Sequence, residues 1–422
     1  GRSGRAAARL AQRLGGIVTV YDTGGEEVFT GVPEGVMIFP ESTPEIGRSS
    51  RADLVVISPG IETGGEFAES FAEGAGEFIG ETEFASRVYH GTVVAITGTN
   101  GKTTTTELIQ RILSAGGVSC ESCGNYGRPL ADVVLDDEPP AAISLELSSF
   151  QLETTRQFRP HVAVWLNFSP DHMDRYETVE DYRAAKLHIF DNQTEGDHAV
   201  IRLGEDVGDL RATRTTFSAT EEGGDYGLHG TSIRFGGELV LDLAETRLRG
   251  SHNAENVMAA VAAGRALEVS FECAGRALAG YAPPLHRCEL VGTLDGVEYI
   301  NDSKATNLHA LASALRSQNR PTVLIAGGKE KGLDYRPLLP LLEEKVQGVV
   351  LIGEIGATLS GCFSETVPCE VAGSLEEAVE RARQQSAPGG TVLFSPGTSS
   401  FDMFRGYEER GDAFRTAVQA LK

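Results

Sequence analysis

Apolar residues along this chain gather into short β-rich runs separated by helical patterns. Val93-Val94-Ala95-Ile96, Ala141 to Leu147, Val162 to Leu166, Val323 to Ala326, Val349 to Ile352 and Val392 to Phe394 are the clearest. Several end in a glycine or polar loop, and many precede residues with the spacing of an amphipathic helix. Strands alternating with helices predict an α/β fold built on largely parallel, doubly wound sheets. Ligands bind beyond the carboxyl ends of the strands in such sheets, so the loops after these runs are where chemistry is expected.

A length of 422 residues accommodates two or three domains. Boundaries are expected near Arg87 and near Pro283-Pro284, giving an N-terminal domain over 1–86, a central domain over 87–283 and a C-terminal domain over 284–422. Gly1-Arg2-Ser3-Gly4 reads as the turn and helix start that follow a strand, so the first sheet is expected to lack its first strand. No apolar stretch approaches the roughly 20 residues of a membrane helix, and no signal peptide is evident. A formal charge of −23 disfavours nucleic acid as a partner. The expectation is a cytoplasmic monomer with no membrane partner.

The six cysteines are scattered, which suits reduced thiols in a cytosol. Cys120 and Cys123 form a C-x-x-C, but no second pair has zinc-ligand spacing. The cations are 30 arginines and only 7 lysines: Lys102, Lys186, Lys304, Lys329, Lys331, Lys345 and Lys422. A chain that prefers arginine this strongly keeps lysine where a compact charge or a neutral amine is required.

The strongest chemical signal follows the run at 93–96. Thr97-Gly98-Thr99-Asn100-Gly101-Lys102-Thr103-Thr104 opens a helix with Leu108, Ile109, Ile112 and Leu113 on one face and Gly116-Gly117 as its stop. Glycines let backbone N–H groups approach phosphate oxygens, and the helix N-terminus favours the anion. Gly98, Thr99, Asn100, Gly101 and Thr104 would line an ATP site, with Lys102 on the β and γ phosphates and Thr103 offering its hydroxyl to Mg²⁺. Ile96 stands where such loops usually carry a leading glycine. The next strand ends at Glu146, whose carboxylate suits a Mg²⁺ ligand. Thr178-Val179-Glu180-Asp181 reads as a capping box, and in the helix it opens Lys186 shares a stripe with Tyr182 and Ile189. Burial there would lower its pKa and expose a neutral amine able to add CO₂ as a carbamate.

The T-G-T-N-G-K-T-T form resembles the Mur ligase and folylpolyglutamate synthetase superfamily, whose members activate a carboxylate as an acyl phosphate that an amine then attacks. Further strings are similar to the glutamate-adding branch of the Mur ligases: E-L-S-S-F-Q-L-E from Glu146, D-H-M-D from Asp171, Y-R-A-A-K-L from Tyr182, and N-D-S-K-A-T-N from Asn301. The resemblance implies three domains: a Rossmann-like N-terminal domain for the UDP-substrate, a central P-loop domain for ATP and a Rossmann-like C-terminal domain for the amino acid. It implies glutamate transfer to UDP-N-acetylmuramoyl-L-alanine in peptidoglycan precursor synthesis, with two Mg²⁺ ions.

Residue by residue, the resemblance places His172 on a second Mg²⁺ and makes Lys186 a carbamate and metal ligand. It assigns Asn256, Arg287 and Asp302 to the nucleotide, and Lys304 and Thr306 to the acyl phosphate and the incoming glutamate. Lys331, Ser400, Phe401 and Tyr407 fall at glutamate-binding positions, Asn125 and Ser148 at substrate positions of the central domain, and Ser3, Asp22 and Thr23 at uridine-binding loops. Gly24 and the Ser58-Pro59-Gly60-Ile61-Glu62 segment depart from the usual pattern there. A folylpolyglutamate-synthetase-like ligase would carry glycine after the loop lysine, where Thr103 stands. An inert scaffold would have lost Lys102, Glu146, His172 or Lys186, and all are present.

Overall fold

The computed structural model describes every residue except Asp174, Arg247, Arg249, Gly280, Ala282, Pro283, Pro284 and Lys422. The expected Pro283-Pro284 boundary and one aspartate of D-H-M-D therefore lie outside the described residues. The chain forms two compact units: Gly1–Glu245 with Glu255–Gly280, and Thr246–Ala254 with Tyr281–Lys422. The Arg87 boundary lies inside the first unit.

In that unit, β1 (Thr19–Tyr21) pairs in parallel with β2 (Met37–Phe39), and β3 (Ala52–Ile57) with β4 (Ala75–Gly80). The strands β5 (Thr92–Thr97), β6 (Cys120–Gly124), β7 (Ala142–Glu146), β8 (Val162–Trp165), β9 (His198–Arg202), β10 (Thr213–Ser218), β11 (Tyr226–His229), β12 (Ser232–Phe235) and β13 (Glu238–Asp242) form one sheet. Its order is β13-β12-β11-β10-β9-β8-β5-β7-β6. Strands β6 to β11 run parallel, and β12 and β13 close the edge antiparallel. The parallel strands are covered on both faces, which is why Val94-Ala95-Ile96 reads as an unbroken apolar run and is fully buried. From β5 the chain leaves one way to β6 and β7, then returns past β5 to β8. The carboxyl end of β5 is thus a topological switch point, where α/β sheets place ligands.

The N-terminal strands are tied to this sheet. Ala6, Ala7 and Leu10 of the Arg2–Arg13 helix share one core with Leu130, Ala131 and Trp165. Glu83 is fully buried and accepts from the backbone N–H of Arg156, Gln157 and Phe158, at 2.9–3.0 Å, and from Arg87 Nε. Hydrogen bonds to a charged group contribute roughly 1.5–3 kcal/mol each, so this carboxylate is a strong clasp. Glu81 accepts from the Ala131 N–H, and burial pushes its carboxyl up to about 7.

The second unit holds β14 (Glu289–Leu294), β15 (Val297–Asn301), β16 (Thr322–Gly327), β17 (Val346–Ile352), β18 (Cys369–Val371) and β19 (Thr391–Phe394). The sheet order is β14-β15-β19-β16-β17-β18, parallel apart from the β14–β15 hairpin. The last strand inserts between β15 and β16. The loops after β15, β16 and β19 therefore emerge side by side, although they lie far apart in sequence.

Candidate active site

The phosphate loop joins β5 to the Lys102–Ala115 helix, which ends at Gly116 as its spacing predicts. Gly101 caps the helix at φ +86°, a left-handed conformation that favours glycine, and a Cβ there would come 2.3 Å from Asn256 Oδ1. That contact, with the 3.3 Å bond from Thr105 Oγ1 to Asn256 Oδ1, places Asn256 of the Ser251–Ala266 helix directly against the loop. Lys102 Nζ donates to the carbonyls of Gly98 at 2.8 Å and Thr99 at 3.0 Å. Thr103 and Thr104 are buried in the first turn.

Asn167, the residue after the β8 run, escaped the sequence reading. Its Oδ1 accepts from the Asn100 N–H at 2.9 Å, its Nδ2 donates to the Asn100 carbonyl, and its own carbonyl accepts from the Thr99 N–H. An amide that copies a β-ladder pairing holds the loop's shape. A polar residue leaving a buried strand beside a phosphate loop was the available signal.

At the end of β7, Glu146 is 3% exposed; Asn125 Nδ2 donates to its Oε1 at 2.8 Å, while its buried Oε2 has no hydrogen-bond partner. An orphaned carboxylate oxygen beside a phosphate loop fits a hard cation. Asn125, expected at a substrate position, is thereby brought against Glu146. Ser148 caps the Ser149–Leu152 helix, its hydroxyl accepting from the Gln151 N–H.

The capping box at Thr178 forms, and the helix it opens (Val179–Leu187) buries Tyr182 and Lys186. Lys186 Nζ donates to the Gly98 carbonyl at 3.1 Å and sits 4.8 Å from the Tyr182 ring centroid. Burial, then the charge of Lys102, holds the Lys186 ammonium well below its ordinary pKa, with Asp171 and Glu146 opposing. His172 adopts φ +57°, and its half-exposed ring lies against Phe150 and Tyr182. Among the described residues, no three His, Cys, Asp or Glu side chains assemble into a ready-made metal centre. Mg²⁺ commonly takes one or two carboxylates and fills its shell with phosphate oxygens and water, a pattern Glu146 fits.

At the N-terminal strands, a Cβ on Gly4 would come 2.9 Å from Ser58 Oγ, so Ser3-Gly4 abuts the loop after β3. Asp22 Oδ1 accepts from the Gly24 N–H, and Thr23 is exposed. Arg175 links this loop to the central sheet by donating to the carbonyls of Pro59 at 3.1 Å and Ile61 at 3.4 Å. It also pairs with Glu153 at 2.9 Å and stacks 4.0 Å from the Phe150 centroid. Glu153 accepts further from Tyr176 and from Thr63 Oγ1. Glu153 ends one of the family-like strings, and Arg175 and Tyr176 directly follow D-H-M-D, without being singled out.

In the second unit, Asp302 is buried, accepting from the Cys288 N–H and from Ser395 Oγ, and burial pushes its carboxyl up to about 6. Arg287 is half-buried in the same stretch. Lys304 Nζ lies 4.0 Å from the Tyr407 ring centroid. Lys331 Nζ donates to the Thr306 carbonyl at 3.3 Å, and Ser400 is buried while Phe401 is 65% exposed. Lys304, Thr306, Lys331, Ser400 and Tyr407 thus gather at the carboxyl ends of β15, β16 and β19. Cys120 and Cys123 lie three apart on β6, and burial pushes both thiols up, which leaves them poor nucleophiles.

A phosphate loop at the switch point of the first unit's sheet, with a second loop cluster at the carboxyl ends of β15, β16 and β19, is the architecture of a nucleotide-dependent enzyme. Residues 96–264 match the Mur ligase middle domain, and residues 286–397 match the Mur ligase, glutamate ligase domain. The chain belongs to the Mur ligase family. It is 40% identical to a UDP-N-acetylmuramoylalanine--D-glutamate ligase of Geobacter sp. strain M21, across 100% of this chain and 96% of that protein. A Geobacter metallireducens protein of the same name is 42% identical with the same coverage. The fold of this chain is similar to that of a pseudomurein peptide ligase type C of Methanothermus fervidus, with TM-score 0.63, 16% identity and coverage of 100% of this chain and 98% of that one.

Proposed function

We infer that this chain joins D-glutamate to UDP-N-acetylmuramoyl-L-alanine at the expense of ATP, in peptidoglycan precursor synthesis. The observation that carries the reading is the buried Lys186 amine on the Gly98 carbonyl, beside Lys102 and the half-satisfied Glu146. The relatives' shared name supplies the substrates.

Mur ligases use ATP and Mg²⁺. When bound, Mg²⁺ supplies positive charge that offsets the phosphate oxygens, and Glu146, Thr103, His172 and Lys186 as its carbamate would hold two ions. The phosphate-loop N–H groups and Lys102 bind and orient the triphosphate, with Asn256, Arg287 and Asp302 on the rest of the nucleotide. The alanine carboxylate attacks the γ-phosphorus and ADP departs, leaving an acyl phosphate. The glutamate amine attacks that carbonyl, and phosphate leaves as the amide forms. Lys304 would meet the charge on the acyl phosphate, while Thr306, Lys331, Ser400, Phe401 and Tyr407 hold glutamate. Asn125, Ser148, Ser3, Asp22 and Thr23 would hold the UDP-substrate. Division into UDP-substrate, ATP and amino-acid domains at Arg87 and near residue 283 suits this sequence, since exclusion of water protects a hydrolysable intermediate.

A cytoplasmic monomer is the form proposed, and no helix among the described residues is long and apolar enough to cross a membrane. The test is ATP-dependent phosphate release from UDP-N-acetylmuramoyl-L-alanine with D-glutamate, L-glutamate, lysine and diaminopimelate in turn. D-glutamate should support turnover; release with only another amino acid would overturn the reading.

A further inference from the structure

One arginine in the second unit is placed unlike the others. Arg410, in the first turns of the Tyr407–Ala420 helix, is 1% exposed. Its Nε donates to Ser303 Oγ at 3.1 Å, and its Nη2 donates to the carbonyls of Ser303 at 2.8 Å and Thr398 at 3.1 Å. One planar group therefore bridges the loop after β15, which carries Lys304 and Thr306, and the loop after β19, which carries Ser400. The third donor, Nη1, is buried with no hydrogen-bond partner. A Cβ on Gly328 would come 3.1 Å from this nitrogen and 2.4 Å from the Ser399 carbonyl, so the fork also abuts the loop after β16, which carries Lys331.

The surroundings show how closely these loops are set. Gly328 has φ +144° and Gly353 has φ +75°, and a Cβ on Gly353 would come 2.7 Å from the Gly328 Cα and 2.3 Å from Asp402 Oδ2. Asp402 Oδ2 accepts from the Glu354 N–H, while its Oδ1 is buried and unpartnered. A buried guanidinium with an unmet N–H is a poor choice for stability, because an apolar side chain of similar volume would fill the space without that cost. What only arginine supplies is a rigid fork that holds several carbonyls at fixed separation.

We propose that Arg410 is a positioning residue for the incoming amino acid, its fork setting the separation of the loops that carry Lys304, Thr306, Lys331 and Ser400. This rests on the reading of those loops as the glutamate site. On the nucleotide side, Asp302 has hydrogen bonds of its own to Cys288, Ser395 and the Phe394 carbonyl, although its charge also acts on the buried Arg410. The effect of losing the fork is therefore expected chiefly on the amino acid and much less on ATP.

The experiment is steady-state phosphate release by the full chain carrying Arg410→Lys or Arg410→Met, with D-glutamate, ATP and UDP-N-acetylmuramoyl-L-alanine varied separately and melting recorded. Both variants should raise the KM for D-glutamate about 10- to 100-fold, as misplacement of binding groups by an ångström does, with the other two KM values within about twofold. Free guanidinium should partly restore the D-glutamate KM of an Arg410→Ala variant. If Arg410→Met does not fold, Arg410→Lys carries the test, since it keeps the charge and most of the volume but not the fork. Arg410→Lys with an unchanged D-glutamate KM, or with all three KM values rising together, overturns the proposal. A Lys331→Ala variant separates the two ideas. If it raises the D-glutamate KM while Arg410→Lys does not, only the role of Arg410 is lost. If neither changes it, the glutamate site has been misplaced.

Discussion

Lys102 and Lys186 donate to the same carbonyl oxygen, that of Gly98, at 2.8 and 3.1 Å. Two ammonium groups on one acceptor, one of them buried, cannot both stay charged cheaply. Burial and the Lys102 charge lower the proton affinity of Lys186, so its neutral amine is more accessible than that of an exposed lysine. Carbon dioxide adds only to that neutral form, and the carbamate would turn a repelling cation into a negatively charged oxygen ligand beside Lys102.

Lys186→Ala should therefore lose activity by roughly 100-fold or more, beyond the ~10–100-fold typical of groups that merely support a metal site. Short carboxylic acids should restore part of it by supplying the missing oxygens. Phosphate release with and without acetate or formate is the measurement; full activity in the alanine variant would remove Lys186 from the mechanism.

Glu146 carries a different signature, one oxygen bonded to Asn125 and the other unpartnered. Glu146→Gln keeps the shape and loses the charge, so the Mg²⁺ concentration needed for half-maximal activity should rise by ~10–100-fold. Titration of Mg²⁺ at saturating ATP checks this. An unaltered Mg²⁺ requirement would assign the orphan oxygen to something other than a metal.

Asp302 gives a pH-dependent expectation. Its carboxyl is raised from the ordinary 3.8 to about 6 in the folded protein. Between those values the native state holds a proton that the unfolded chain has released, so stability falls as pH rises through that window and the full deficit stands above it. The gap corresponds to on the order of 3 kcal/mol. Asp302→Asn, whose amide can still accept from Cys288 N–H and donate to Ser395 Oγ, should raise the melting temperature at pH 8 and much less at pH 5. The KM for ATP should rise about 10- to 100-fold with loss of a charged hydrogen-bond acceptor. A stability gain equal at both pH values would contradict the linkage.

Arg175 reaches from the D-H-M-D-R segment to the carbonyls of Pro59 and Ile61 while paired with Glu153. Arg175→Lys keeps one charge but cannot serve two carbonyls and a carboxylate together. It should raise the KM for the UDP-substrate by roughly tenfold, the cost of about 1.4 kcal/mol, with the KM for ATP nearly unchanged. Equal losses for both ligands would show that the network supports the fold as a whole.

Much of the local structure was legible in the residues. The apolar runs became β5, β7, β8, β16, β17 and β19, and the capping box at Thr178 formed as its spacing required. The four buried apolar positions on the phosphate-loop helix follow from their 3.6-residue period. The lysines kept by an arginine-rich chain mark the phosphate loop, the Lys186 stripe and the loops after β15 and β16. All these features are set by interactions within a few residues of one another, and family resemblance extended them to particular roles.

What escaped was set by contacts across long stretches of chain. The insertion of β19 between β15 and β16 depends on which apolar faces fit together, and nothing local to residues 391–394 records it. Asn167 reads as an ordinary loop residue until the fold lays it along the phosphate-loop backbone, 67 residues earlier in the chain. Nothing local to Arg410 records its burial, which comes from packing of its helix over Ser303, 107 residues away. Sequence by itself determined the strands of the apolar runs, the capped helix starts and which reactive side chains each loop carries, because backbone sterics, periodic burial and capping act locally. The tertiary structure alone decided which loops meet and which charges are forced into one another's company, because desolvation and hydrogen-bond satisfaction depend on every neighbour the fold supplies.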